Sequence, residues 1–119
     1  MSVGEYFRVT IVELDGEAVV VIAGEIDMAA KDRLWEVIEQ ARADGRRLVI
    51  DLAATSFIDS AGLTVLIRAM QAQAADGGEM VLRSPSEPVK QILDMTGVGD
   101  AVTVEWADDP SSDGDAAAP

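Results

Sequence analysis

Two runs of apolar and β-branched residues open the chain. Phe7 to Glu13 alternates apolar and polar side chains, as an outer strand with one solvated face does. Ala18 to Glu25 is nearly all apolar, as a strand covered on both faces is. Asp15-Gly16 stands between them, a pair suited to the positive φ angles of a tight hairpin turn. The chain is therefore expected to begin with a β-hairpin.

After Gly24-Glu25-Ile26-Asp27 the alternation gives way to helical spacing. Leu34, Val37, Ile38 and Ala41 fall at i, i+3, i+4 and i+7, with Lys31, Asp32, Glu36 and Glu39 on the other side, which predicts a helix from about Met28 to Ala43. Asp44-Gly45 ends it, and the apolar run Leu48 to Leu52 predicts a short interior strand with Asp51 near its end. A second stripe, Leu63, Leu66, Ile67, Met70 and Ala74, predicts a helix that starts near Asp59-Ser60 and is closed by Asp76-Gly77-Gly78 before the strand Glu79 to Arg83. Strand, helix, strand requires parallel pairing and a right-handed crossover. A third helix is expected from about Ser86, its favoured cap, to Thr96, with Pro88 in the first turn and Gly97 at the end; Val102 to Val104 is the last strand. The fold class is α/β, with a mixed sheet of about five strands and three to four helices, in one domain over residues 1–106.

Charge narrows what such a domain can do. Asp and Glu number 22 against 9 Lys and Arg, a formal charge of -13, and this field repels nucleic-acid backbones and anionic lipid headgroups. Four of the acids lie in the tail, residues 107–119, whose small and acidic composition predicts disorder; the remainder still carries -9. With no Cys and no His, thiolate zinc sites, cysteine nucleophiles and Ser-His relays are excluded from this chain, and no cofactor is expected. The chain shows neither a signal-peptide pattern at its start nor an apolar run of the about 18 residues that span a membrane. A cytoplasmic location without membrane insertion is expected.

Candidate chemistry gathers in the loops after strands. Glu25-Ile26-Asp27 follows the second strand, Asp51 closes the third, and Asp59-Ser60-Ala61-Gly62 opens the second helix. Ser60 reads in two ways. It is a residue type favoured at helix N-caps, and it is also an exposed hydroxyl beside unpaired backbone N–H groups that would stabilise an added phosphate. Asp27 can cap the first helix, and Gly62 can serve only close packing of helix on strand. Neither a phosphate-binding loop nor a fixed carboxylate pocket is present, so no catalytic or metal-ligating residue is assigned.

Taken together, Gly24-Glu25-Ile26-Asp27, Leu48 to Leu52, Phe57-Ile58-Asp59-Ser60-Ala61-Gly62-Leu63, Gly77-Gly78-Glu79-Met80 and Val89 to Val98 resemble, in order and spacing, the anti-sigma factor antagonists of the STAS domain family. The resemblance covers about Phe7 to Glu105. It implies that Ser60 is the phospho-acceptor, that the unphosphorylated protein binds an anti-sigma factor serine kinase, and that a serine phosphatase reverses the modification. It further implies that Asp27, Asp59, Ala61, Gly62 and Leu63 face the partner. Ala61 departs from the Ser or Thr common there, which bears on affinity or kinase preference. Two other readings compete: a constitutive STAS subunit of a transport or signalling assembly, and an aspartyl-phosphate receiver using Asp51. The opening hairpin and the absence of a lysine after Lys90 argue against the receiver. The sequence leaves oligomeric state open.

Overall fold

The opening runs form β1, Phe7–Leu14, and β2, Glu17–Ile26, in antiparallel register from Leu14 opposite Glu17 to Phe7 opposite Gly24. Asp15 and Gly16 join them with φ of 49° and 81°. Two successive positive φ values match the right-handed twist of the strands, which is why Asp-Gly serves here. In the computed structural model, which describes residues 7–43 and 45–106, the chain continues as α1 (Lys31–Arg42), β3 (Arg47–Ile58), α2 (Ser60–Ala75), β4 (Met80–Arg83), α3 (Glu87–Thr96), α4 (Val98–Ala101) and β5 (Thr103–Glu105). The tail expected to be disordered lies outside the described residues.

The sheet order is β1-β2-β3-β4-β5, and every pair after the first is parallel. Each crossover steps one place in the same direction, so right-handed connections lay α1, α2 and α3 on one face. Beneath them Ala18, Val20 and Ile22, Leu48, Ile50 and Leu52, and Leu82 meet Leu34, Ile38, Leu66, Ala69 and Leu93 in one core.

The other face carries no crossover helix. Its register aligns Val19, Val49 and Val81 in a row, with Glu17 and Arg47 on one side and Asp51, Arg83 and Glu105 on the other. Arg47 donates to Glu17, to Glu79 at 3.1 Å and to Glu105 at 2.9 Å, while Arg83 donates to Glu105 at 2.9 Å and to Glu17 at 3.3 Å. The ion pairs therefore run across the valine row, and the three valines are buried. Arginine stems can cover apolar surface in this way while their heads stay paired. Hydrogen bonds from Arg47, and then from Arg83, hold the Glu105 carboxyl below its ordinary range against the effect of burial. Val21 stays partly exposed, so β2 is covered on both faces only in its first half, and by side chains rather than a second layer.

Three boundaries differ from expectation. β3 runs to Ile58 instead of ending near Leu52, because past Asp51 it leaves β4 and continues along β2 alone. Two bulges give it extra residues: Ala23 pairs with Ala54 after Val21 with Asp51, and Glu25 with Phe57 after Gly24 with Thr55. A bulge breaks the alternation by which a strand is recognised in sequence. At the first, Asp51 Oδ1 accepts the Ala53 N–H at 3.0 Å, and the buried Thr55 hydroxyl donates to the Ile22 carbonyl at 3.0 Å. Asp51 thus lies within the strand, which removes the strand-end position that the receiver reading needed. α1 begins at Lys31, since Asp27 Oδ1 accepts the N–H groups of Ala29 and Ala30 and holds those residues in a turn. The last strand starts at Thr103, after Gly97 at φ 80° ends α3 and opens the one-turn α4.

Ser86 stands at the N-cap of α3, as expected, but its hydroxyl donates to the Thr55 carbonyl instead of capping. That bond ties α3 to the bulged half of β3.

Candidate functional site

β2 and β3 end side by side, Ile26 opposite Ile58, and this brings the two acidic segments together. The Asp59 N–H donates to the Ile26 carbonyl at 3.0 Å, so α2 starts directly against the Asp27 turn. Asp59 has the extended backbone of an N-cap; its Oδ1 accepts the Gly62 N–H at 3.0 Å and its Oδ2 accepts the Met28 N–H at 3.2 Å. One carboxylate therefore caps α2 and staples it to the loop before α1. Asp27 meanwhile spends its own side chain on Ala29 and Ala30, capping the turn rather than the helix it was expected to cap.

Asp59, not Ser60, occupies the N-cap position of α2. Ser60 is the first residue of α2, it is exposed, and its hydroxyl makes no hydrogen bond among the described residues. Its carbonyl accepts from the Thr64 hydroxyl at 2.9 Å, which fixes the first turn. The N-cap reading of Ser60 is thus corrected: the cap is Asp59. The Ser60 hydroxyl points from a helix N-terminus, where the backbone dipoles and free N–H groups favour negative charge.

The remaining expected contacts divide by burial. Asp27, Asp59 and Ala61 are half-buried at the surface, whereas Gly62 and Leu63 are buried and form part of the seat of α2. A Cβ on Gly62 would lie 2.7 Å from Ile26 Cγ2, 2.7 Å from Ile58 Cγ1 and 3.0 Å from the Ile26 carbonyl oxygen. Gly62 and Leu63 hence position the first turn of α2 from below and offer no side chain to a partner. Among the described residues no group of three or more acidic side chains is placed to hold a metal, and no helix is long and apolar enough to cross a membrane.

Two residues of the site were not found from the sequence. Met28, in the Asp27 turn, is 69% exposed, and Phe57, just before Ile58-Asp59, is 43% exposed. Their exposed apolar surface lies next in the chain to Asp27 and to the start of α2. Met28 could have been noticed as an apolar residue out of phase with the helix stripe. Phe57 could not, because the bulge at Glu25 decides which way it faces.

A profile of the STAS domain matches residues 8–108. The chain belongs to the STAS domain family. The anti-sigma-B factor antagonist of Bacillus subtilis (strain 168) is 32% identical over 83 residues, 70% of this chain and 76% of that protein. A crystal structure of an anti-sigma factor antagonist from Mycobacterium paratuberculosis superposes with a TM-score of 0.77 at 26% identity, covering 88% of this chain and 90% of that one. The antagonist SpoIIAA in its unphosphorylated form shares the fold, with a TM-score of 0.72 at 21% identity over 88% of this chain and 92% of that one, and the same protein is known in a phosphorylated form. This STAS domain is thus related to anti-sigma factor antagonists in sequence and in fold.

Proposed function

We propose that this STAS protein is an anti-sigma factor antagonist switched by phosphorylation of Ser60. Without phosphate it binds an anti-sigma factor that is also a serine kinase, and so frees a sigma factor; with phosphate it is released. The observation that carries the reading is the free, exposed Ser60 hydroxyl at the start of α2, beside Asp27, Asp59, Met28 and Phe57. In the transfer the Ser60 oxygen bonds to the γ-phosphorus of ATP, the bond to ADP breaks, and the hydroxyl proton passes to a base of the kinase. A serine phosphatase would restore the hydroxyl by adding water and releasing inorganic phosphate.

The switch follows from charge. Phosphate brings about -1.5 to -2 at neutral pH. At a helix N-terminus this costs the fold nothing and is mildly favourable. On the surface it adds bulk and charge beside two carboxylates, where a partner must otherwise pack against Met28 and Phe57. Fold is thus kept while docking is lost. Regulation of transcription in this way needs no contact with DNA, in keeping with the net charge of -13.

The test is to incubate the wild type and Ser60→Ala with the purified anti-sigma kinase and ATP, and to measure intact masses. One added phosphate on the wild type and none on Ser60→Ala is expected; a phosphorylated Ser60→Ala protein overturns the assignment. If the wild type, Ser60→Ala and Ser60→Asp all hold the same partner with equal affinity, Ser60 is no switch and the chain is a constitutive STAS subunit.

A further inference from the structure

Beside Ser60 a groove of about 290 Å³ lies between α1 and α2, lined by Lys31, Asp32, Trp35, Ala61, Thr64, Val65 and Arg68. The Arg68 guanidinium lies over the Trp35 ring, 3.9 Å from its centroid. Most arginines of this acidic chain are tied to carboxylates: Arg33 to Glu36, Arg42 to Glu39 and Asp76, Arg46 to Glu13, Arg47 to Glu17, Glu79 and Glu105, and Arg83 to Glu17 and Glu105. Arg68 is exposed and has no carboxylate partner among the described residues. Lys31 pairs with Asp32 at 3.2 Å, so the free positive charge of the groove resides on Arg68.

We propose that Arg68, held by Trp35, takes a carboxylate side chain of the anti-sigma factor and helps to select that partner; the inference rests on the antagonist reading above. A guanidinium already stacked on an indole has little rotamer freedom left to lose, and its planar fork matches a carboxylate. Ser60, Thr64 and Arg68 follow at i, i+4 and i+8, one stripe of α2, so Arg68 lies about 12 Å along the helix axis from Ser60. A partner seated over Ser60 reaches that far. Asp27 and Asp59 ask the partner for positive charge at the helix start, and Arg68 asks for negative charge about two turns on. A partner with the reverse order would meet like charges at both places, which is how charge patterns exclude wrong partners.

The probe is the purified anti-sigma factor that wild type binds and Ser60→Asp releases. Its affinity and dissociation rate are measured for the wild type, Arg68→Glu, Arg68→Lys and Lys90→Glu, the last making the same charge change on the exposed face of α3. Arg68→Glu is expected to bind at least about 10-fold more weakly, chiefly through faster dissociation, and Arg68→Lys several-fold more weakly because fork and stacking are both lost. Lys90→Glu should stay within about twofold, since an exposed charge off the contact acts only through a screened field. Circular dichroism and urea unfolding confirm that each variant is folded. If Arg68→Glu binds like the wild type, or Lys90→Glu loses as much, the inference is overturned while the Ser60 switch stands. If the wild type binds no anti-sigma factor, both fall.

Discussion

Replacing Gly62 by alanine sets two effects of opposite sign against each other. Gly62 lies inside α2, where alanine is intrinsically better by about 1 kcal/mol. Its new methyl would stand 2.7 Å from Ile26 Cγ2 and 2.7 Å from Ile58 Cγ1, against about 3.5 to 4.0 Å for a relaxed carbon contact. Neither isoleucine can yield easily: both are buried, and a β-branched side chain has few alternative rotamers. The Ile26 carbonyl at 3.0 Å also cannot retreat without disturbing its bond from the Asp59 N–H. Overpacking of this kind costs about 1 to 3 kcal/mol, and with two side chains and one backbone atom in the way the upper end applies. The net expectation is a loss of about 2 kcal/mol, or a fall of about 10 °C in Tm. Urea unfolding followed by circular dichroism measures it, with an unchanged slope showing that the same transition is observed. Because the strain is relieved by lifting the first turn of α2, affinity for the anti-sigma factor should fall as well. A Gly62→Ala protein as stable as the wild type, or more so, refutes the close seating of α2 on the two isoleucines.

Three further outcomes are expected. Asp59→Ala loses the bonds to Gly62 and Met28 and should cost about 1 to 2 kcal/mol in thermal or urea unfolding, whereas Ser60→Ala, at a hydroxyl without a partner, should stay within about 0.5 kcal/mol. Equal losses in the two would return the cap to Ser60. Ser60→Asp should melt at or slightly above the wild type, by up to about 1 kcal/mol, since a carboxylate suits a helix N-terminus; a large fall in Tm would contradict the exposed placement. The ion pairs over the valine row predict acid sensitivity: the Glu105 carboxyl is held below its ordinary pKa by Arg47 and Arg83, so its stabilisation is present above the unfolded pKa and is lost as pH falls through the folded one. Glu105→Gln should therefore be less stable than wild type at neutral pH, and its stability should fall less between neutral pH and the acid range. Parallel stability curves for the two proteins would show that Glu105 is uncoupled.

Much of the fold was legible because its signals are local. Asp15-Gly16 names its own turn, Leu34, Val37, Ile38 and Ala41 mark one face of α1, and Gly97 carries the positive φ that ends α3. The chain of strand, helix and strand then leaves one handedness, and with it the side of the sheet on which the helices lie. The same topology sets both the Asp27 turn and Asp59-Ser60 just before helices that cover one sheet, but the sequence alone did not show that they converge. The family resemblance pointed to Ser60 as well.

The tertiary structure decided what depends on register and contact. Bulges, which no period announces, carried β3 to Ile58, moved Asp51 inside a strand and turned Phe57 to the surface. The choice between Asp59 and Ser60 as cap turned on which side chain could reach both Gly62 and Met28, an atom of the same helix and one from a loop 31 residues earlier. The burial of Gly62, the stacking of Arg68 on Trp35 and the ion pairs over the valines likewise join residues distant in the chain. Local sequence sets the conformation of a segment; which atoms a side chain meets is set by the segments packed against it.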